Sequence, residues 1–260
     1  MPPIRKGDGT PVAPKGITQV RTGDGRILFD GVAIPDSVVD NMDLIYWMDE
    51  ASGTTVNDYF DEVNGTLTSD NWGADSNSPT SKDEITQYDG IEDQGYSEDS
   101  LWVNTSEASF AFWVRFDSLP SVTQIIYSSA FQGARRGADT DGGFLIRQQD
   151  ADCRLVLFDS DGNTSATTMV SDAFSTDEWF FVAVSADGDN YEVTVWDETS
   201  EVGSGTHTES HRNTLSEAYL NWMGCTDSGN FQDGDVATVI AADADIDKST
   251  WSDIWNDTKP

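Results

Sequence analysis

Ser109-Phe110-Ala111-Phe112-Trp113-Val114-Arg115-Phe116 is the stretch whose reading decides the fold, and Glu178-Trp179-Phe180-Phe181-Val182-Ala183-Val184 is its partner farther along the chain. Both are dense in aromatic and β-branched side chains, which pack well on a pleated surface and poorly on an isolated helix, and turn residues bound each run. Two central, largely buried strands are predicted. Side chains alternate along a strand, so Phe110, Phe112, Val114 and Phe116 share one face while Ala111, Trp113 and Arg115 share the other. One face is apolar and the other mixed. Rings from Phe112, Trp113, Trp179 and Phe181 are expected to seal two stacked layers.

Outward from these strands, the 260 residues suffice for one large β-sandwich plus an appendage. The formal charge is −33, with 14 basic against 47 acidic residues. The acidic side is dominated by Asp, and Lys is scarce. Such self-repulsion is severe in dilute buffer and screened in strong salt, where the Debye length falls to about 3 Å at 1 M. The acidity therefore reads as adaptation to a halophilic medium. Nucleic acid is excluded as a partner, because too few cations are present to displace its counterions. Cys153 and Cys225 form no metal-ligand spacing, and two separate buried thiols are favoured over a disulfide. The amino terminus has no apolar secretory core, and no run of about eighteen apolar residues could span a membrane.

Residues 1–40 differ from the rest. Arg5, Lys6, Lys15, Arg21 and Arg26 balance Asp8, Asp24, Asp30, Asp36 and Asp40, so all of the −33 falls in residues 41–260. Ile4-Arg5-Lys6-Gly7-Asp8-Gly9-Thr10 returns as Val20-Arg21-Thr22-Gly23-Asp24-Gly25-Arg26, with the same tight-turn signal beside a β-prone residue. A neutral segment on an acidic protein suits surface that another chain will cover. The segment is predicted to be a docking and oligomerisation arm using Arg5, Lys6, Arg21 and Arg26. The sandwich is assigned to 41–260.

Within it, strands are predicted over Leu44 to Met48, Ile85 to Tyr88, Val122 to Tyr127, Gly143 to Arg147, Arg154 to Phe158, Tyr219 to Met223 and Val236 to Ala241. Asn64-Gly65 is a tight-turn signal, residues 69–84 and 130–142 read as loops, and Asp187-Gly188 predicts a hairpin into Tyr191 to Trp196. Trp251, Ile254 and Trp255, spaced i, i+3, i+4 behind Asp247 and Ser249, predict a short terminal helix. His207-Thr208-Glu209-Ser210-His211 invites a zinc reading, but its Glu is misplaced for H-E-x-x-H and its neighbours read as a loop.

The order of these motifs resembles the concanavalin A-like, laminin G-like jelly roll. The resemblance lies in Tyr46-Trp47-Met48-Asp49-Glu50-Ala51-Ser52-Gly53-Thr54-Thr55-Val56-Asn57-Asp58 with Asn64-Gly65-Thr66-Leu67, in Tyr88-Asp89-Gly90-Ile91-Glu92-Asp93, in Ser109 to Phe116, in Trp179 to Val184 with Asp187-Gly188, in Phe231-Gln232-Asp233-Gly234 and in the terminal turn at Trp251. It covers about 43–256 and implies an all-β fold of two antiparallel sheets face to face, with an extended amino-terminal arm and a short carboxy-terminal helix. It also implies a structural calcium beside the first turn, near Asp58, Asp61 and Asn64, although Ala237-Thr238 stand where relatives often offer acidic ligands. The glycosidases of this wider fold resemble one another in a Glu-x-Asp-x-x-Glu strand. No Glu here has Asp two residues on, so no catalytic residue is assigned. For a glycan, Trp72, Arg135 and Arg136 are the loop residues chosen as contacts.

Arm and head together resemble the surface proteins of tailed viruses of halophilic archaea: a tail fibre, spike or capsid turret. The implied protein is non-enzymatic, sits on the virion surface, docks other virion proteins through residues 1–40, is a homo-oligomer and binds host-surface glycan. A glycan-active enzyme with a non-standard site and a cellular carbohydrate-binding or adhesion domain remain the alternatives.

Overall fold

The computed structural model describes residues 20–21, 27–29, 32–34, 42–46, 54–56, 58, 64–67, 72–74, 84–89, 95–97, 106–119, 124–131, 143–158, 164–209, 218–222 and 233–258. Strands are numbered in chain order. β1 (Val20–Arg21), β2 (Ile27–Phe29) and β3 (Val32–Ile34) form an antiparallel sheet of their own. The first sandwich sheet runs β17 (Glu201–Thr208), β16 (Asn190–Trp196), β15 (Trp179–Asp187), β10 (Glu107–Phe116), β19 (Asp233–Ala242), β8 (Glu84–Asp89), β7 (Trp72–Ala74). β4 (Leu44–Tyr46) pairs with β19 as well. The second sheet runs β14 (Thr164–Val170), β13 (Asp152–Phe158), β12 (Gly143–Gln149), β11 (Gln124–Phe131), β18 (Ala218–Trp222), β9 (Gly95–Ser97), β6 (Gly65–Leu67), β5 (Thr55–Val56). Among the described residues one helix, α1 (Lys248–Thr258), follows β19. Every ladder among the described residues is antiparallel, as in a jelly roll.

The two runs that decide the fold are adjacent strands, with Phe112 opposite Val182 and Trp113 opposite Phe181. Their alternation divides the core in two. Phe110, Phe112, Val114 and Phe116 face the second sheet, meeting Phe144, Ile146, Leu155 and Leu157. Phe110 and Phe144 stack across the gap at 5.5 Å between ring centres. Trp113, Trp179, Phe181 and Trp196 point the other way, onto Trp251, Ile254 and Trp255 of α1. This corrects the expectation that all four rings of Phe112, Trp113, Trp179 and Phe181 lie between the sheets: only Phe112 does. Neighbouring positions on one strand cannot share a face, and the mixed face of β10 became a second dry core.

Three of the indole N–H groups entering that second core are matched, whereas Trp179 Nε1 is buried without a hydrogen-bond partner. Trp113 Nε1 donates to Thr258 Oγ1 at 2.9 Å, Trp251 Nε1 to Ser185 Oγ at 2.9 Å and Trp255 Nε1 to the Asp197 carbonyl at 2.8 Å. Ser109 Oγ donates to the Ala244 carbonyl and accepts from Ile246 N–H, anchoring the lead-in to α1. Asp247 caps the helix, its Oδ1 accepting from Thr250 N–H at 2.9 Å.

Several loop readings need correction. Trp72 lies in β7, paired to Thr86, so 69–84 is interrupted by an edge strand of weak β-propensity. Asn64-Gly65 is no two-residue turn, because Gly65 already pairs with Val56 and the connection spans the residues between. β11 runs to Phe131, later than the predicted loop start. β14 and β17 were not anticipated, and His207 belongs to β17. The glycines that read as loop in β17 serve a close approach: a Cβ on Gly205 would lie 2.3 Å from the Met169 carbonyl oxygen in β14. The predicted hairpin is present, with Asp187 opposite Asn190 and Gly188 at φ +58°. Cys153 is a free buried thiol whose proton is held more tightly by burial, while Cys225 lies outside the described residues.

Trp251→Ala should cost about 3–5 kcal/mol, read by urea unfolding in strong salt. The Asp247 carboxyl is held below the ordinary carboxylate range by the Ser249 hydroxyl and the Thr250 amide. Its contribution is therefore present above the unfolded-state value and lost as pH falls through the lower folded value. Asp247→Asn, which still caps, should flatten this acid dependence of the α1 tryptophan fluorescence.

Candidate functional site

Asp58 and Asn64, two of the three residues set beside the first turn, are together. Asp58 is 4% exposed, and its backbone bridges to Tyr46. Its Oδ1 accepts from the buried Ile45 N–H at 3.0 Å, while Asn64 Oδ1 accepts from Asp58 N–H at 3.2 Å. The donor set is oxygen only, as calcium prefers, yet these two oxygens already serve backbone amides. These two bonds make a hydrogen-bonded clasp between the turn and β4. Asp61 lies outside the described residues, among which no group of three or more His, Cys, Asp or Glu is placed to hold a metal.

At one end of the first sheet's outer face, Arg115 of β10 lies between its ladder partners Asp235 and Trp179. Its Nε donates to Asp235 Oδ2 at 2.8 Å, and its guanidinium carbon sits 5.4 Å from the Trp179 ring centre. Asp235 is 3% exposed. A Cβ on neighbouring Gly234, at φ +153°, would collide with the Arg115 carbonyl oxygen at 2.0 Å, so only glycine lets β19 lie this close. The pair is satisfied internally and reads as architecture.

At the rim where the two sheets meet, Glu209 Oε2 accepts from Ser165 Oγ of β14 and lies 2.9 Å from His207 Nε2. The serine does not reach the imidazole through this link, so the three groups fasten β14 to the end of β17 and make no nucleophile–base pair. His211 lies outside the described residues.

The outer face of the second sheet is differently furnished. Leu145, Arg147 and Gln149 of β12 lie beside Val156, Arg154 and Asp152 of β13 in matched order, joined by the two-residue turn at Asp150, which has φ +52°, and Ala151. Leu145 and Val156 are buried, whereas Arg147, Gln149, Asp152 and Arg154 are half-buried. Arg154 donates an N–H to Gln149 Oε1. These arginines were not singled out from the sequence. The signal was available: Arg147 alternates out of phase with Phe144 and Ile146, and a tight turn fixes Arg154 opposite it.

Of the other chosen residues, Arg21 lies in β1 and Trp72 in β7, while Arg5, Lys6, Arg26, Arg135 and Arg136 fall outside the described residues.

Residues 89–244 match the family model described as the concanavalin A-like lectin/glucanases superfamily. A search of curated proteins returns no match. Among solved structures, the chain is similar to a botulinum neurotoxin serotype D ligand binding domain in complex with N-acetylneuraminic acid, with TM-score 0.59 and 11% identity over 85% of this chain and 52% of that one. It is also similar to a Trypanosoma rangeli sialidase, with TM-score 0.57 and 12% identity over 86% of this chain and 33% of that one. The chain thus spans about half of the toxin domain and a third of the sialidase, and at these identities the likeness is one of fold.

Asp58→Ala leaves the buried Ile45 N–H without its acceptor and should cost about 1–3 kcal/mol, measurable by urea unfolding. Asp58→Asn, which keeps an oxygen in place, should cost less.

Proposed function

The chain belongs to the concanavalin A-like lectin/glucanase superfamily, and we propose that it serves as a non-enzymatic glycan-binding head on the virion of a halophilic virus, held to the particle by residues 1–40. The observation that carries this reading is the segregation of charge along the chain. A formally neutral leader precedes a head that holds the whole −33. The leader's β1–β3 sheet shares no ladder with either sandwich sheet, and β3 runs beside α1. Docking would thus use the side already covered by the helix and leave the second sheet's outer face for ligand. Host-surface glycan is the partner that the fold's carbohydrate-binding character favours. A homo-oligomeric fibre, spike or turret would multiply a weak sugar contact by avidity.

No nucleophile–base pair is assembled among the described residues, and the reading assigns the chain no hydrolytic step. In this proposal Asp58, Asp61 and Asn64 would take calcium only as reinforcement of the turn.

Replacing Arg5, Lys6, Arg21 and Arg26 together by Glu in the full chain should abolish self-association in sedimentation velocity at molar salt and leave the melting temperature of the head unchanged. Unaltered association would overturn the docking role. Incubation with halophile surface polysaccharide should release no reducing ends, and their release would overturn the non-enzymatic reading.

A further inference from the structure

Arg147 and Arg154 stand directly opposite one another on neighbouring strands, on the face turned away from the intersheet core. Like charges in that position repel. The chain has 47 acidic residues against 14 basic ones, so an acidic neighbour would be easy to supply. Among the described residues, nevertheless, the ion pairs are Arg115 with Asp235, His207 with Glu209 and Lys248 with Glu201, and neither of these two guanidinium groups has one. The Nε atoms of both are buried without a hydrogen-bond partner. Burial first, and the Arg154 charge second, weaken the hold of Arg147 on its proton. Buried donors are ordinarily matched. Among the described residues only the Gln149 amide oxygen accepts from either guanidinium group and no carboxylate pairs with one, so an anion supplied from outside would meet two cations without a counterion.

We propose that Arg147 and Arg154 form a binding site for an oxyanion carried on a sugar, a carboxylate or a sulfate group. The inference rests on the glycan-binding reading above and names the class of glycan. A planar guanidinium fork matches either oxyanion through parallel N–H···O bonds, and an anion between two forks replaces their repulsion with two attractions. Gln149, whose Oε1 accepts from Arg154, adds an amide beside the pair. The strongly negative head repels dense polyanions, but at 1 M salt that field is screened within about 3 Å, while direct contacts persist. A glycan with isolated acidic groups therefore suits this face in strong salt.

The test is isothermal titration of the full chain at molar salt with three oligosaccharides of equal length: neutral, uronic acid-bearing and sulfated. The wild type should bind at least one acidic oligosaccharide about ten-fold or more tighter than the neutral one, and the arm that responds identifies the oxyanion. Arg147→Gln should erase the preference for the acidic sugar. Arg154→Lys, which keeps the charge and loses the fork, should weaken it as well. Arg147→Gln should also melt no lower than the wild type, since it relieves repulsion; a merely structural arginine would show a lower melting temperature and an unchanged preference. Equal affinity for neutral and acidic sugars, or a preference that survives both substitutions, overturns this inference and leaves glycan binding intact. Failure of all three sugars to bind overturns the glycan-binding reading, and this inference falls with it.

Discussion

A sheet that is dry on both faces must find a second layer for each, and β10 is dry on both. The intersheet core satisfies one side with phenylalanine and aliphatic residues. The other side holds Trp113 and Phe181, whose ring centres are 5.3 Å apart, with Trp196 5.8 Å from Phe181. Left bare, these rings would expose several hundred Å2 of apolar surface, of the kind that marks an interaction site or an aggregation liability. The α1 helix covers them. An eleven-residue helix is marginal alone, so helix and sheet face are interdependent, with the indole N–H groups of Trp113, Trp251 and Trp255 bonded across the contact. The Ser109 and Ser185 hydroxyls fix the connecting segment and determine where the helix lands.

That apolar cohesion works against charge. Asp245 shows the conflict locally: its carboxyl is raised above the ordinary range by burial first, then by Asp187, Glu107 and Asp247. Three carboxylates at the approach to the helix thus oppose the charge of a fourth. Strong salt screens this repulsion and strengthens burial of apolar surface when its ions are excluded from the protein. The core and the surface thus prefer the same medium for different reasons. Sulfur chemistry adds nothing to the balance, since the Cys153 thiol is buried in the intersheet core and kept protonated there.

The central strands, the Asp187–Asn190 hairpin and the terminal helix were legible because each carries a local signal: dense aromatic alternation, an Asp-Gly turn, and apolar spacing behind a capping Asp. β14, β17 and β7 were not. Their sequences are rich in Thr, Ser and Gly, and what makes them strands is the neighbour they meet. Gly205 admits the Met169 carbonyl, and no property of Gly203-Ser204-Gly205 announces that approach. The same limit applied to the site. Asp58 and Asn64 were placed beside the first turn from the family resemblance, while their use as backbone acceptors depends on β4 arriving at the other side. Arg147 and Arg154 each read as an ordinary outward residue of a half-buried strand. Their juxtaposition exists only after the Asp150–Ala151 turn has set the register.

The two broad faces of the sandwich consequently have different physical standing. On the first sheet, the outward cation Arg115 has been neutralised by Asp235 and stacked near Trp179, and the tryptophans have been covered by helix; little valence is left there. On the second sheet, Arg147 and Arg154 face outward with a half-buried rim and no carboxylate bound to either among the described residues. In an uncharged protein that difference would carry little weight. In a chain with more than three acidic residues for every basic one, random placement would put carboxylates near most cations. A pair of guanidinium groups kept together, with no carboxylate paired to either among the described residues although Asp152 stands one same-face step away, runs against both composition and electrostatics, which is the pattern expected where binding an anion, and not stability, fixes the choice of side chain.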